Sequence, residues 1–254
     1  MLGAIIGDIG GSIYEFDNIK TEDFELMPDN SFFTDDTVMT VATADCILNK
    51  GDFATYYKNY YKKYPGRGYG AMFNQWGISE SLEPYNSYGN GSAMRVSPVG
   101  FAYSDMQTVL DVAKKSAECT HNHPEGIRGA QAIAACIFTA RQKKDKDSIK
   151  KTAEDLGYDL SFNLDEIKAN YSFDETCQGS VPQAIKAFLE SDSFEDAIKK
   201  AIALGGDSDT VACMVGGISE AYYGVPGSLK KQARDKLDSH LKGIIEEFYK
   251  RYAC

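Results

Sequence analysis

No Cys-x-x-Cys pair occurs in the sequence, and its six cysteines, at 46, 119, 136, 177, 213 and 254, are scattered without tight zinc spacing. That excludes a zinc-finger or disulfide scaffold and suits buried thiols in a reducing compartment. Long apolar runs are missing too. Nothing approaches the ~20 residues of a membrane-spanning helix, and the N-terminus has no basic leader region, so a cytoplasmic protein that neither spans nor binds a membrane is expected. Positive charge is in deficit: 27 Lys and Arg stand against 37 Asp and Glu, a net charge of −10. Such a balance argues against binding a nucleic-acid backbone. It leaves room for a nucleotide-sized anion, because a bound metal inverts local charge. Stretches that alternate β-branched with polar residues are few, and no repeat of fixed period is found, which disfavours sheets and solenoids.

What remains is the material of one large helical domain. With 254 residues, 43% apolar and 25% charged, the chain can bury a real core, and no internal boundary divides it, so a single all-α domain over 1–254 is expected. Apolar spacing predicts helices over 2–13, 37–49, 53–64, 71–82, 92–96, 106–119, 125–141, 180–190, 194–203, 210–223 and 229–252. The segment 17–33 is acidic and irregular and is expected to be a surface loop; 141–178 is charge-rich and weakly periodic, a peripheral excursion. The tyrosines at 56, 57, 60, 61 and 64 recur at helical spacing, as a packed face does.

Two stretches carry the chemistry. Gly205-Gly206-Asp207-Ser208-Asp209-Thr210 and Thr34-Asp35-Asp36-Thr37 each place paired acids and hydroxyls before an apolar helix start. The ordinary reading of Asp or Thr there is a helix N-cap. Both stretches nevertheless crowd more acid than a cap uses, and like charges so close raise one another's pKa unless a cation compensates. Oxygen ligands without adjacent His or Cys suit Mg²⁺, Mn²⁺ or Ca²⁺ better than zinc, and two divalent ions would balance four aspartates. Such ions can orient a diol or phosphate and activate water. All of this requires two stretches far apart in sequence to meet in space.

Lesser signals are open to two readings each. Gly89-Asn90-Gly91-Ser92, before a helical turn, can present N–H groups to a diphosphate or be a plain tight turn. Tyr85 and Tyr88 can stack on adenine or be ordinary loop tyrosines. His121 and His123 make an incomplete zinc pair. Asp8 suits either orientation of a metal ligand or a structural hydrogen bond, and Arg95 is expected to be structural.

Taken in order, Gly3-Ala4-Ile5-Ile6-Gly7-Asp8 with Glu15, Thr34-Asp35-Asp36-Thr37, Gly89-Asn90-Gly91-Ser92-Ala93-Met94-Arg95, His121-x-His123-Pro124 and Gly205-Gly206-Asp207-Ser208-Asp209-Thr210 resemble the ADP-ribosylglycohydrolases. The resemblance implies a compact, orthogonally packed helical bundle with a dinuclear Mg²⁺ or Mn²⁺ centre. It implies Thr34, Asp35, Asp36, Asp207, Asp209 and Thr210 as metal ligands, and Glu15, with Asp36, as the catalytic carboxylates. It further implies Gly89, Asn90, Gly91, Ser92 and His121 as substrate contacts, to which the loop reading adds Tyr88. The expected function is a metal-dependent hydrolase, acting as a monomer, that cleaves the ribosyl bond between ADP-ribose and a protein side chain or small molecule. Two rivals stand: a two-metal nucleotide phosphohydrolase, and a non-catalytic binding or structural member of the family.

Overall fold

Side-chain caps divide the chain into helices. Among residues 1–252, which the computed structural model describes, the order is α1 Leu2–Gly11, α2 Asp35–Asn49, α3 Phe53–Lys63, α4 Ala71–Ile78, α5 Gly91–Met94, α6 Ser97–Ala102, α7 Met106–Glu118, α8 Pro124–Lys143, α9 Lys146–Asp155, α10 Leu164–Lys168, α11 Cys177–Leu189, α12 Phe194–Leu204, α13 Ser208–Tyr223, α14 Gly227–Lys236 and α15 Ser239–Arg251. No strand occurs among these residues; an isolated bridge joins Gly89 to Thr176. Asp52, Asp105, Asp145 and Ser193 each accept the N–H three residues on and so start α3, α7, α9 and α12 by supplying an orphan donor with a partner.

α1 and α13 form the axis of the bundle. Four of the ten residues of α1 are glycine, each costing a helix about 1 kcal/mol relative to alanine. In return the two backbones touch. A Cβ on Gly7 would lie 2.0 Å from the Ala212 carbonyl oxygen, one on Gly3 2.2 Å from that of Gly216, and one on Gly216 2.0 Å from that of Gly3. Every residue of α1 is buried. Its amino end is pinned by Glu220 of α13, which takes the Met1 ammonium at 2.5 Å and the Gly3 N–H at 2.7 Å. α2, α8, α11 and α12 pack around this pair.

Tyr57, Tyr60 and Tyr64 are buried, so the tyrosine stripe is a packed face. Arg95 is buried as well. It donates to Ser116 O and Thr120 Oγ1 and stacks over Tyr57, with 4.1 Å from the guanidinium to the ring centre.

The expected elements differ from the observed ones in five main places, the first being α6, which no expected helix covers and which takes Pro98 into its first turn. The segment 141–178 holds α9 and α10, the latter capped by Asn163. The predicted helix 229–252 is two helices, because Asp238 turns its carboxylate to the N–H groups of His240 and Leu241 and starts α15. α4 ends at Ile78, short of 82. α11 begins at Cys177, capped by Thr176, and carries Pro182 inside it. Cys254 lies outside the described residues.

Candidate active site

The contact between α1 and α13 places the first carboxylates. Gly11, at the end of α1, approaches α13 so closely that a Cβ on it would sit 2.4 Å from the Asp209 Cα. The chain then turns, with the Tyr14 N–H on Gly11 O at 2.8 Å, and brings Glu15 to the head of α13. Gly205 and Gly206, at φ +79° and +75°, bend the chain into that helix in a conformation side chains disfavour. Carboxylate oxygens of Glu15, Asp207 and Asp209 consequently lie within 4.8 Å of one another.

α2 contributes the second set, positioned by Asp8. The buried Asp8 carboxylate accepts the Thr34 N–H at 3.0 Å, the Thr34 hydroxyl at 2.7 Å, the Thr37 N–H at 3.0 Å and the Thr37 hydroxyl. Thr34 Oγ1 in turn accepts the Asp36 N–H at 3.2 Å. With these donors satisfied by Asp8 and Thr34, the side chains of Asp35 and Asp36 are left for the cleft. The Thr210 hydroxyl donates to Asp36 Oδ2 at 3.2 Å across 174 residues of sequence. The two acidic stretches therefore meet.

They line one cavity of about 360 Å³, together with Glu15, Tyr85, Tyr88, Gly89, Asn90, Gly91 and His121. Two expected site residues do not line it. Thr34 stands behind Asp36 on Asp8, and Ser92 turns its hydroxyl to Gly126 O at 2.6 Å. Among the described residues no Lys, Arg or His forms a salt bridge with Glu15, Asp35, Asp36, Asp207 or Asp209.

Uncompensated charge in a buried place favours protons. Burial, then the charges of Asp207 and Asp8, pushes Glu15 up to about 7. Asp8 is pushed up to about 6 by burial, against the opposing pull of its bonds from Thr37 and Thr34. Burial first, then neighbouring carboxylates, holds Asp35, Asp36 and Asp209 well above the ordinary carboxylate range. Asp207 is raised by burial, an effect opposed by the hydrogen bond from Asn90. Asp36 Oδ1 is buried without a hydrogen-bond partner, a costly state for a carboxylate oxygen. An all-oxygen donor set, a surplus of acid and an orphaned oxygen fit a hard divalent cation.

On the other wall, the Gly89 N–H is taken by Ser87 Oγ at 3.0 Å and the Asn90 N–H by Glu175 O at 2.7 Å. The Asn90 side chain reaches the acid cluster itself, donating to Asp207 Oδ2 at 2.7 Å. His121 is buried beside Arg95, and both effects hold its imidazole well below its usual pKa and hence neutral. Its Nδ1 faces Thr120 Oγ1 at 2.8 Å, and a Cβ on Gly91 would meet Nε2 at 3.0 Å, so glycine lets the loop lie on the ring. Tyr88 is half exposed at the rim. His123 caps α8, its Nδ1 accepting the Glu125 N–H. Gly68, Ala71, Met72, Phe173 and Glu175 also line the cavity; no local pattern in the sequence marks them.

The family model for ADP-ribosylglycohydrolase matches residues 1–253. ADP-ribosylhydrolase ARH3 of Mus musculus is 29% identical, over 97% of this chain and 91% of its own. The Gallus gallus ARH3 is 32% identical over 88% and 84%. ADP-ribosylarginine hydrolase Tri1 of Pseudomonas putida is 26% identical over 99% of this chain and 77% of its own. A solved structure described as an ADP-ribosylglycohydrolase-related protein complex superposes with a TM-score of 0.76 at 23% identity, covering 99% of this chain and 95% of that one. Whole-length matches of sequence and fold, added to the cleft just described, place this chain in the ADP-ribosylglycohydrolase family, as an enzyme of that class.

Proposed function

We propose that this enzyme is a divalent-cation-dependent hydrolase, one domain spanning the chain, that releases ADP-ribose from a modified protein side chain or small molecule. The observation that carries the reading is the meeting of Asp36 with Thr210 at 3.2 Å, which unites two acidic stretches with Glu15 in one cleft. Asp35, Asp36, Asp207, Asp209 and Thr210 would hold two Mg²⁺ or Mn²⁺ ions, and Thr34 would act from behind them by holding the Asp36 N–H. Bound there, such ions supply charge neutralisation, orientation of ribose hydroxyls and an activated water.

The protein's own groups divide the remaining work. Gly89 to Gly91 and Tyr88 form the wall for the diphosphate and adenosine, with the Gly91 N–H group at the first turn of α5 as a donor, and Ser92 anchors that loop from behind through Gly126 O. His121, kept neutral, supports that wall without adding charge. Glu15, the least buried of the carboxylates, is raised to about 7 in the cation-free chain by burial and by the charges of Asp207 and Asp8. It is suited to donate to the leaving atom of the acceptor, or to take a proton from the attacking water. Asp36 is the second carboxylate of the reaction.

The test is release of free ADP-ribose from arginine- and serine-modified peptides, with and without Mg²⁺ or Mn²⁺. Release that depends on the cation is expected; no release from either peptide with cation present overturns the reading. Phosphate among the products would point instead to a nucleotide phosphohydrolase.

A further inference from the structure

Glu15 stands on a turn packed at Tyr14, which meets Phe24 with ring centres 5.3 Å apart, and at Phe16, which stacks on Phe173 at the surface. It follows the end of α1, and its neighbours Phe16, Asp17 and Asn18 are exposed, Phe16 at 87%. Yet the proposed chemistry needs its carboxylate within a few ångströms of Asp207 and Asp209, where it is found. Hydrogen bonds supplement this packing.

The side chain of Asn18 gathers four backbone partners. Its Nδ2 donates to Tyr14 O at 2.6 Å, Glu15 O at 3.0 Å and Gly206 O at 3.0 Å, one hydrogen being shared. Its Oδ1 accepts the Gly206 N–H at 2.6 Å. One amide therefore ties the carbonyl of the Glu15 residue to both polar groups of the glycine that precedes Asp207. Lys20 makes a second tie two residues on, its ammonium donating to Leu204 O at 2.5 Å and Tyr171 O at 2.9 Å. The receiving surface is shaped for this. Gly205 and Gly206 have positive φ, and a Cβ on Gly205 would lie 2.7 Å from Lys20 Nζ and 3.0 Å from Asn18 Oδ1.

We infer that Asn18 is a positioning residue for Glu15, clasping the Glu15 turn to the Gly205–Gly206 bend so that the carboxylate and the acidic head of α13 keep a fixed relation. Asn18 does not line the cavity, and its bonds go to backbone groups rather than to the carboxylates. Its effect passes through the backbone on both sides of the clasp, and Lys20 reinforces it. The inference rests on the proposed role of Glu15 in the reaction.

The experiment is a double-mutant cycle on the full chain, with Asn18→Ala, Glu15→Gln and both together, assayed for ADP-ribose release with cation present. A catalytic group displaced by about 1 Å can cost on the order of 10²-fold in rate, so Asn18→Ala is expected to lower kcat by about 10- to 100-fold with KM unchanged. In the Glu15→Gln background the same substitution is expected to cost nothing more, because the group it positions is gone. Additive losses would overturn the inference by placing the effect on the acidic motif through Gly206, and an unchanged kcat would overturn it outright. Asn18→Ser, a milder change, serves if the alanine variant does not fold. Amide hydrogen exchange over residues 14–20 provides a readout without activity: faster exchange in the Asn18 variant is expected, and unchanged exchange sinks the clasp. If the unmodified protein releases no ADP-ribose, the proposed function fails, and the exchange measurement still decides whether the clasp exists.

Discussion

The two acidic stretches share a vocabulary, Asp-Thr-Val at the start of an apolar helix, and are built in opposite ways. At α2 the capping is done by others. Thr34 takes the Asp36 N–H, and Asp8, from another helix, takes those of Thr34 and Thr37, so Asp35 and Asp36 are released from it. At α13 the N-cap residue Asp207 makes no capping bond with its side chain. Its carboxylate is held by Asn90 instead. One half satisfies the helix end with auxiliary oxygens, whereas in the other Asp209 takes the Thr210 N–H itself at 2.9 Å and the N-cap acid Asp207 is given over to Asn90. An acid before a helix is therefore ambiguous until the oxygen that caps the helix is known.

If both halves form one centre, removing an acid from either must have the same consequence. Asp36→Asn and Asp209→Asn are each expected to lower ADP-ribose release on the order of 10²- to 10⁴-fold, the range associated with loss of an acid–base group, and to abolish the rise in Tm on adding Mn²⁺. A large loss from one and none from the other would break the comparison.

The next largest effect tests what brings the halves together. Gly7→Ala drives a methyl into the Ala212 carbonyl, and is expected to cost at least about 3 kcal/mol, the upper end for overpacking, measured by urea denaturation. An unchanged midpoint would mean that α1 and α13 separate without penalty.

A third prediction concerns pH. Glu15 at about 7, Asp8 at about 6 and the raised Asp35, Asp36 and Asp209 keep protons in the folded chain that the unfolded chain has already released. Stability of the cation-free protein is then full below the unfolded carboxylate pKa of about 4 and falls as pH rises through about 4 to 7. Cations replace the protons, so the gap in Tm between loaded and cation-free protein is expected to widen over that window. A constant gap contradicts it.

The smallest effects separate the two halves. Thr34→Ala removes a cap and is expected to cost about 1 kcal/mol. Asp207→Asn removes no capping bond and relieves crowding, so cation-free stability is expected to hold or rise while the response to Mn²⁺ is lost. Equal destabilisation by both would show that Asp207 caps after all. Thermal melts without cation decide this.

The helices with strong apolar period were legible in the sequence, as was the pairing of acids, because both are local. The missed parts have physical reasons too. Asp145 and Asn163 are capping residues in a charge-rich stretch, and α9 and α10 behind them have few apolar positions to signal a period. Asp238 divides a continuous amphipathic run by outcompeting the backbone for two N–H groups. At the site, the bonds of Asn90 to Asp207 and of Asp8 to Thr34 join residues 117 and 26 positions apart. Spacing along the chain carries no record of such contacts. Ser92 and Thr34 belong to the motifs, yet each turns its hydroxyl away from the cleft.

The glycine contact between α1 and α13 also sets the order of assembly. Gly7 meets the carbonyl of Ala212, so the pair closes a loop of some two hundred residues, and contacts of such long range form late, after the intervening helices have reduced the entropy of closure. Until then α1, buried along its whole length in the finished protein, can pack on α2 but leaves the glycine face that meets α13 open to the solvent. During synthesis on the ribosome the glycine face of the first helix must wait for the thirteenth. The acid cluster comes into being only at that last step, so a partly folded chain has no cation site to populate.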